Sequence, residues 1–183
     1  MKKLGLALFS VPKRLNEDLE DTLDMLDSIG FEELEVFGPY TFSDEKTKQE
    51  WAATSQMLGF SASGFYGHTP QDFGAKVKDR GMSIPSMHTD IETLQRNMSA
   101  LGEAARKIGA TYVVLPALPE PYRKDMDDYK RSAELFNEIG KNACEEDPHL
   151  LNGLNVHSGH LTYEAVGRAL NIKTVDPKSA LKL

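Results

Sequence analysis

Leu34-Glu35-Val36-Phe37 runs into Gly38, and Ile84-Pro85-Ser86-Met87 runs into His88. Each is a short, mostly apolar stretch of strand length that ends where a turn or a polar side chain takes over. Leu4-Gly5-Leu6-Ala7-Leu8-Phe9 before Ser10 and Tyr112-Val113-Val114-Leu115 before Pro116 repeat the pattern, with helix-period segments between them. This alternation predicts an α/β fold with a parallel sheet, since right-handed crossovers bring every strand's carboxyl end to one side. Chemistry in such folds gathers at those ends. Phe9, Glu35 and His88 lie at or near them and are the first residues to examine.

Asn16 is placed to cap a helix with Leu19, Leu23, Leu26 and Ile29 on one stripe, stopped by Gly30. Ser43 is the expected cap of a second helix that reaches Leu58, with Trp51 as a core contact. The glycine- and serine-rich stretch Ser61–Gly67 reads as a loop or short strand, and Thr69-Pro70 opens the next helix. One long helix is expected from Ile91 to Ile108, then a stiff proline loop from Pro116 to Arg123 and a helix capped by Asp127. A fifth strand is expected at Leu154–His157, followed by a short helix at Tyr163–Leu170 and an apolar fragment at Ile172–Val175.

At 183 residues the chain is expected to be one domain. A closed eight-stranded barrel usually takes about 250 residues and seldom fewer than about 200, so a TIM-barrel-like fold in this chain would be partial, with five or six βα units. With 28 acidic and 21 basic residues the formal net charge is −7, which argues against nonspecific binding to nucleic acid or anionic membrane. The single cysteine, Cys144, excludes an internal disulfide and reads as a packing residue. The amino-terminal apolar stretch is interrupted by Pro12, Lys13 and Arg14, unlike a signal peptide, and no run approaches the length of a membrane span. The expectation is a soluble cytoplasmic protein.

Several residue types carry chemistry. A carboxylate within a buried strand is costly unless paired or used, so Glu35 is either an acid–base or hydroxyl-binding group or a carboxylate paired with a lysine or arginine at the bottom of the barrel. His88 either meets substrate or caps the next helix together with Asp90, and Asp90 itself reads as an N-cap. His157, His160 and Glu164 form a cluster with metal-ligand chemistry suited to Mn, Co or Zn; solvated surface histidines are the competing reading. Tyr122 and Arg123 could contact a phosphate, where a guanidinium forks onto two oxygens, or lie in solvent. His68 is a loop residue that could line the same pocket.

The stretch Lys3-Leu4-Gly5-Leu6-Ala7-Leu8-Phe9-Ser10-Val11 resembles the first strand of the sugar phosphate isomerase/epimerase group of xylose-isomerase-like barrels. Gly30–Gly38, Pro85–Asp90, Gly109–Val114 and the helix from Asp128 to Gly140 are similar to the same family, in the same order. The resemblance covers roughly residues 3–146 and implies a (β/α)8 barrel using Mn, Mg, Co or Zn to move a proton between adjacent carbons of a sugar or sugar phosphate. It implies a metal held by two Glu, one Asp and one His, polarising the substrate as charge develops. Residues 147–183 depart from the pattern: Gly153–Glu164 stands where the family carries a His-Asn-His strand. The leading expectation is therefore metal-assisted proton transfer, with Glu35 and His88 catalytic, Phe9, His68, Tyr122 and Arg123 near substrate, and His157, His160 and Glu164 holding the ion. The rival is a noncatalytic partial barrel whose open sheet edges are covered by a second copy or another chain.

Overall fold

The structure, a computed structural model, describes residues 3–146 and 154–156. Five strands form one parallel sheet in the order of the chain: β1 (Gly5–Ala7), β2 (Glu33–Val36), β3 (Ser83–His88), β4 (Tyr112–Leu115) and β5 (Leu154–Val156). A sheet whose spatial order follows the chain order is wound in one sense, as in a barrel; a doubly wound sheet reverses direction part-way across. The expected partial barrel is therefore what the chain forms. Residues 157–183, with His157, His160, Glu164 and the tail elements expected there, lie outside the described residues.

Helices occupy the connections: α1 (Pro12–Glu17), α2 (Leu19–Ile29), α3 (Glu45–Leu58), α4 (Pro70–Asp79), α5 (Ile91–Arg96), α6 (Met98–Ile108) and α7 (Met126–Glu146). They cover one face of the sheet, where Leu34, Val36, Ile84, Met87, Val113 and Leu115 are buried with Phe73, Val77, Leu101 and Ile108 from α4 and α6. Side chains this deeply buried are each worth about 1.5–3 kcal/mol of transfer from water, so this layer supplies most of the drive to fold. Gly74 lets α4 and α6 touch: a Cβ there would stand 3.1 Å from the Ile108 Cα and 3.2 Å from the Lys107 carbonyl.

Several local expectations are corrected by tertiary contacts. The first strand stops at Ala7, because a 3-10 turn at Leu8–Ser10 drives Leu8 into the core. Asp18, rather than Asn16, caps α2 by accepting from the Asp21 N–H at 3.0 Å, and the Asn16 amide oxygen accepts from Ala62 N instead. Asp44, rather than Ser43, caps α3, while the Ser43 hydroxyl accepts from Tyr40 N at 3.0 Å. The helix expected from Ile91 to Ile108 breaks at Asn97, whose Nδ2 reaches away to the Phe42 carbonyl at 2.8 Å. Asp125, one residue ahead of α7, accepts from Asp128 N in the role expected of Asp127.

One irregularity positions the site. Between Glu33 and Glu35 on β2 the partner strand advances from Ser83 to Ser86, one residue more than regular pairing allows. This bulge contains Pro85, and proline is tolerated inside a sheet at such places because no ladder N–H is needed there. Ile84 and Met87 both face the helices as a result, and Ser86 and His88 share the opposite face.

Candidate functional site

Register builds the open face of the sheet. Ala7, Glu35, Ser86 and Tyr112 stand level across four strands, and His88 stands level with Val114, nearer the carboxyl ends. Glu35 rises from β2 between its two neighbours on β3. Its Oε2 accepts from the Ser86 hydroxyl at 2.6 Å, and its Oε1 lies 2.8 Å from His88 Nε2. Both side chains retain about a quarter of their surface (27% for Glu35, 26% for His88), so a ligand at the mouth can reach them. Glu33, near the amino end of the same strand, meets Lys3 at 3.2 Å.

The arrangement has a defined chemical capacity. A histidine that donates from Nε2 to a carboxylate carries its lone pair on Nδ1 when neutral, and when protonated it offers that proton as an acid. Glu35 orients the ring, and Ser86 holds the second carboxylate oxygen so that the carboxylate does not rotate away. The carboxylate sits between the hydroxyl and the imidazole, the opposite of the order that would activate Ser86 as a nucleophile. Acid–base work suits this geometry better than acyl transfer.

Loops after the strands wall the mouth. Phe9, 48% exposed, packs edge-on against Phe37 at 5.1 Å and Phe60 at 5.9 Å between ring centroids. Trp51 of α3 completes the cluster against Phe37 and Phe60, and its indole N–H donates to the Ser61 carbonyl at 3.2 Å. Tyr40 is buried, its hydroxyl donating to the His88 carbonyl at 2.8 Å. Burial, then the neighbouring Tyr66, Glu35 and Asp90, pushes the Tyr40 hydroxyl well above its ordinary pKa, so it remains a donor. Tyr66 is held up by burial as well.

Asp90 does what a cap does: Oδ1 accepts from Thr93 N at 2.8 Å and from the Thr47 hydroxyl at 2.8 Å, and Oδ2 accepts from the Thr93 hydroxyl. His68 sits on the exposed loop ahead of α4, its backbone N–H on the Phe65 carbonyl. Arg123 is exposed but folds back so that Nε donates to the Leu118 carbonyl at 2.8 Å, and the Tyr122 ring packs against the core. Phe9, Glu35 and His88 thus lie at the carboxyl ends of their strands, with Tyr122 and Arg123 in the loop after β4. Sequence reasoning missed Ser86 and Tyr40 as parts of the site. Pro85 inside a strand was the available sign of the bulge that turns Ser86 toward Glu35.

Among the described residues no three His, Cys, Asp or Glu side chains gather into a group able to hold a metal ion. Glu35 and His88 are engaged with each other, so the described part of the chain does not by itself fit the ion shell that the family resemblance implies.

The chain is similar to a sugar phosphate isomerase/epimerase from Parabacteroides distasonis ATCC 8503, with 23% identity, a TM-score of 0.58, and coverage of 85% of this chain and 50% of that one. A second sugar phosphate isomerase/epimerase structure from the same organism gives 19% identity and a TM-score of 0.63, covering 85% and 54%. The fold is that of the sugar phosphate isomerase/epimerases. A structure of IOLI protein with a binding zinc atom shares this fold at 12% identity and a TM-score of 0.51, covering 93% of this chain and 59% of that one. The chain spans about half the length of the two isomerase/epimerase structures. Neither a protein-family model nor a curated protein sequence matches it. No helix among the described residues is long and apolar enough to cross a membrane.

Proposed function

We propose that the chain belongs to an isomerase/epimerase-type barrel in which Glu35 and His88 move a proton next to the carbonyl of a small sugar or sugar phosphate. The observation that carries this reading is the 2.8 Å contact between Glu35 and His88 on the open face, with both side chains accessible. A positioned acid–base group typically contributes about 10²–10⁴-fold to such a transfer. Phe9 offers an apolar wall for the carbon side of a sugar, and His68, Tyr122 and Arg123 are the candidates for its polar or phosphate end. The whole chain forms one such unit in this reading, working in the cytoplasm.

A divalent ion, Mn, Mg, Co or Zn, belongs to the same reading at His157, His160 and Glu164, whose imidazole and carboxylate donors suit it. When bound it would supply Lewis-acid stabilisation of charge on the substrate oxygens. The described residues do the rest: Glu35 holds the His88 ring, Ser86 holds Glu35, and His88 takes or gives the proton through Nδ1.

The test is solvent-deuterium incorporation next to the carbonyl in a panel of ketoses, aldoses and their phosphates, followed by NMR with Mn present. Wild type is expected to label at least one substrate, and Glu35→Gln and His88→Asn to slow labelling by about 10²–10⁴-fold. Equal labelling by wild type and both variants would remove Glu35 and His88 from the chemistry.

The second reading, a noncatalytic partial barrel that self-associates, is favoured by Tyr112, 41% exposed on the open face where a closed barrel would fill its interior. Light scattering decides it: a dimer without exchange activity on any substrate supports it, and an active monomer excludes it.

A further inference from the structure

We infer that Tyr40 is a positioning residue for His88: its hydroxyl completes the end of β3 and thereby sets where the imidazole meets Glu35. The inference rests on the acid–base reading of the pair. The peptide joining His88 to Thr89 sends its N–H to β4, where Thr89 N donates to the Val114 carbonyl at 2.9 Å. Peptide planarity therefore turns the His88 carbonyl the other way, toward β2. β2 has already ended, since its last residue, Val36, stands level with Met87. The carbonyl would face a position that no strand among the described residues fills, and a partly buried backbone acceptor left unpaired is costly. Tyr40, from the loop after β2, fills that place with its hydroxyl at 2.8 Å.

The loop is built to hold the hydroxyl there. Tyr40 is 3% exposed, its ring stacked on Phe42 at 5.1 Å and tilted against Phe65 at 5.0 Å. Its N–H is tied to the Ser43 hydroxyl at 3.0 Å. The far side of the loop closes on it through Gly64 N to the Phe37 carbonyl at 2.8 Å and the Ser63 hydroxyl to the Pro39 carbonyl at 3.0 Å. Gly64 has φ +63°, and a Cβ there would stand 3.0 Å from the Pro39 carbonyl and 3.3 Å from Tyr40 Cδ1, so the close approach requires glycine. Tyr66 has a hydroxyl buried in the same region that makes no hydrogen bond among the described residues, which supplies an internal control.

The test reads His88 directly and needs no substrate. Long-range ¹H–¹⁵N spectra of the ¹⁵N-labelled chain report which imidazole nitrogen carries the proton, with Glu35→Gln marking the response to loss of the carboxylate. Wild type is expected to hold the Nε2–H tautomer. Tyr40→Phe keeps the ring packing and removes only the hydroxyl; it is expected to lower the Nε2–H to Nδ1–H ratio by about tenfold. Tyr66→Phe is expected to leave that ratio unchanged. Gly64→Ala, which crowds the ring without deleting the hydroxyl, is expected to shift the ratio in the same direction and carries the test should Tyr40→Phe not fold. With a substrate that wild type labels, Tyr40→Phe lowers kcat and leaves KM in place. A His88 ratio unchanged in Tyr40→Phe, or shifted equally by Tyr66→Phe, overturns the inference. Absence of labelling by wild type counts against the acid–base reading alone, because the tautomer arm still reports on Tyr40.

Discussion

On β2, Leu34 and Val36 are 1% and 0% exposed, whereas Glu33 and Glu35, which alternate with them, keep access to solvent. β3 repeats the contrast, with Met87 sealed under the helices and Ser86 and His88 on the other side. The helix-covered face is apolar and close-packed, so its residues answer to volume. The open face carries charge and hydrogen bonds whose partners are set by register, so its residues answer to geometry. Neighbouring positions in one strand should therefore fail in different ways when altered.

The largest expected difference is between Leu34→Ala and Glu35→Gln. Leu34→Ala should cost about 2–5 kcal/mol in urea unfolding, because it opens a cavity in the packed layer. Glu35→Gln should change stability by less than about 1 kcal/mol, because the pair is partly solvated, while exchange activity collapses. If the two variants destabilised equally, the division of labour between the faces would be wrong.

A next effect sharpens the open face as a ligand-binding face. Mn at 100 times its Kd should add about 2.7 kcal/mol, seen as a higher Tm, and His157→Ala with His160→Ala should abolish the rise. A flat response to divalent ions would remove the metal from the proposal and leave the Glu35–His88 pair standing. Smaller again is Asp90→Ala, expected to cost about 1–2 kcal/mol through loss of the α5 cap. Exchange activity should survive it, which separates a carboxylate that holds a helix from one that serves the mouth.

The smallest effect lies on the outer surface. Glu20 on α2 is paired with Lys76 and with Arg80 of the α4 end, and these partners hold its carboxyl below the usual range, the Lys76 hydrogen bond most of all. A carboxylate with a depressed folded-state pKa stabilises above its unfolded pKa, and that contribution is lost as pH falls through the folded value. Wild type should thus exceed Glu20→Gln slightly at neutral pH, with the gap closing on acidification, as read from urea midpoints at several pH values. A gap that widened in acid would contradict the pairing.

Much of the frame was legible in local pattern. The strand segments ending near Phe9, Phe37, His88 and Leu115 are short and apolar because both sheet and helices must bury them, and that signature survives in one dimension. The fifth strand at 154–156 was legible for the same reason. Caps were less so: Asn16, Ser43 and Asp127 have the right chemistry, but Asp18, Asp44 and Asp125 stand nearby and win through small differences in chain direction. The break at Asn97 depends on a carbonyl 55 residues away.

Composition and periodicity alone determined a parallel α/β sheet, the carboxyl ends as the place for chemistry, and Glu35 and His88 as residues to watch. Those depend on near-neighbour patterns of burial that any segment carries with it. Only the tertiary structure decided that the bulge at Pro85 turns Ser86 and His88 to one face, that Glu35 binds both, and that Tyr40 closes the strand end. Each of these joins residues from different strands or loops, and such contacts exist only once register and chain path place them within hydrogen-bonding distance.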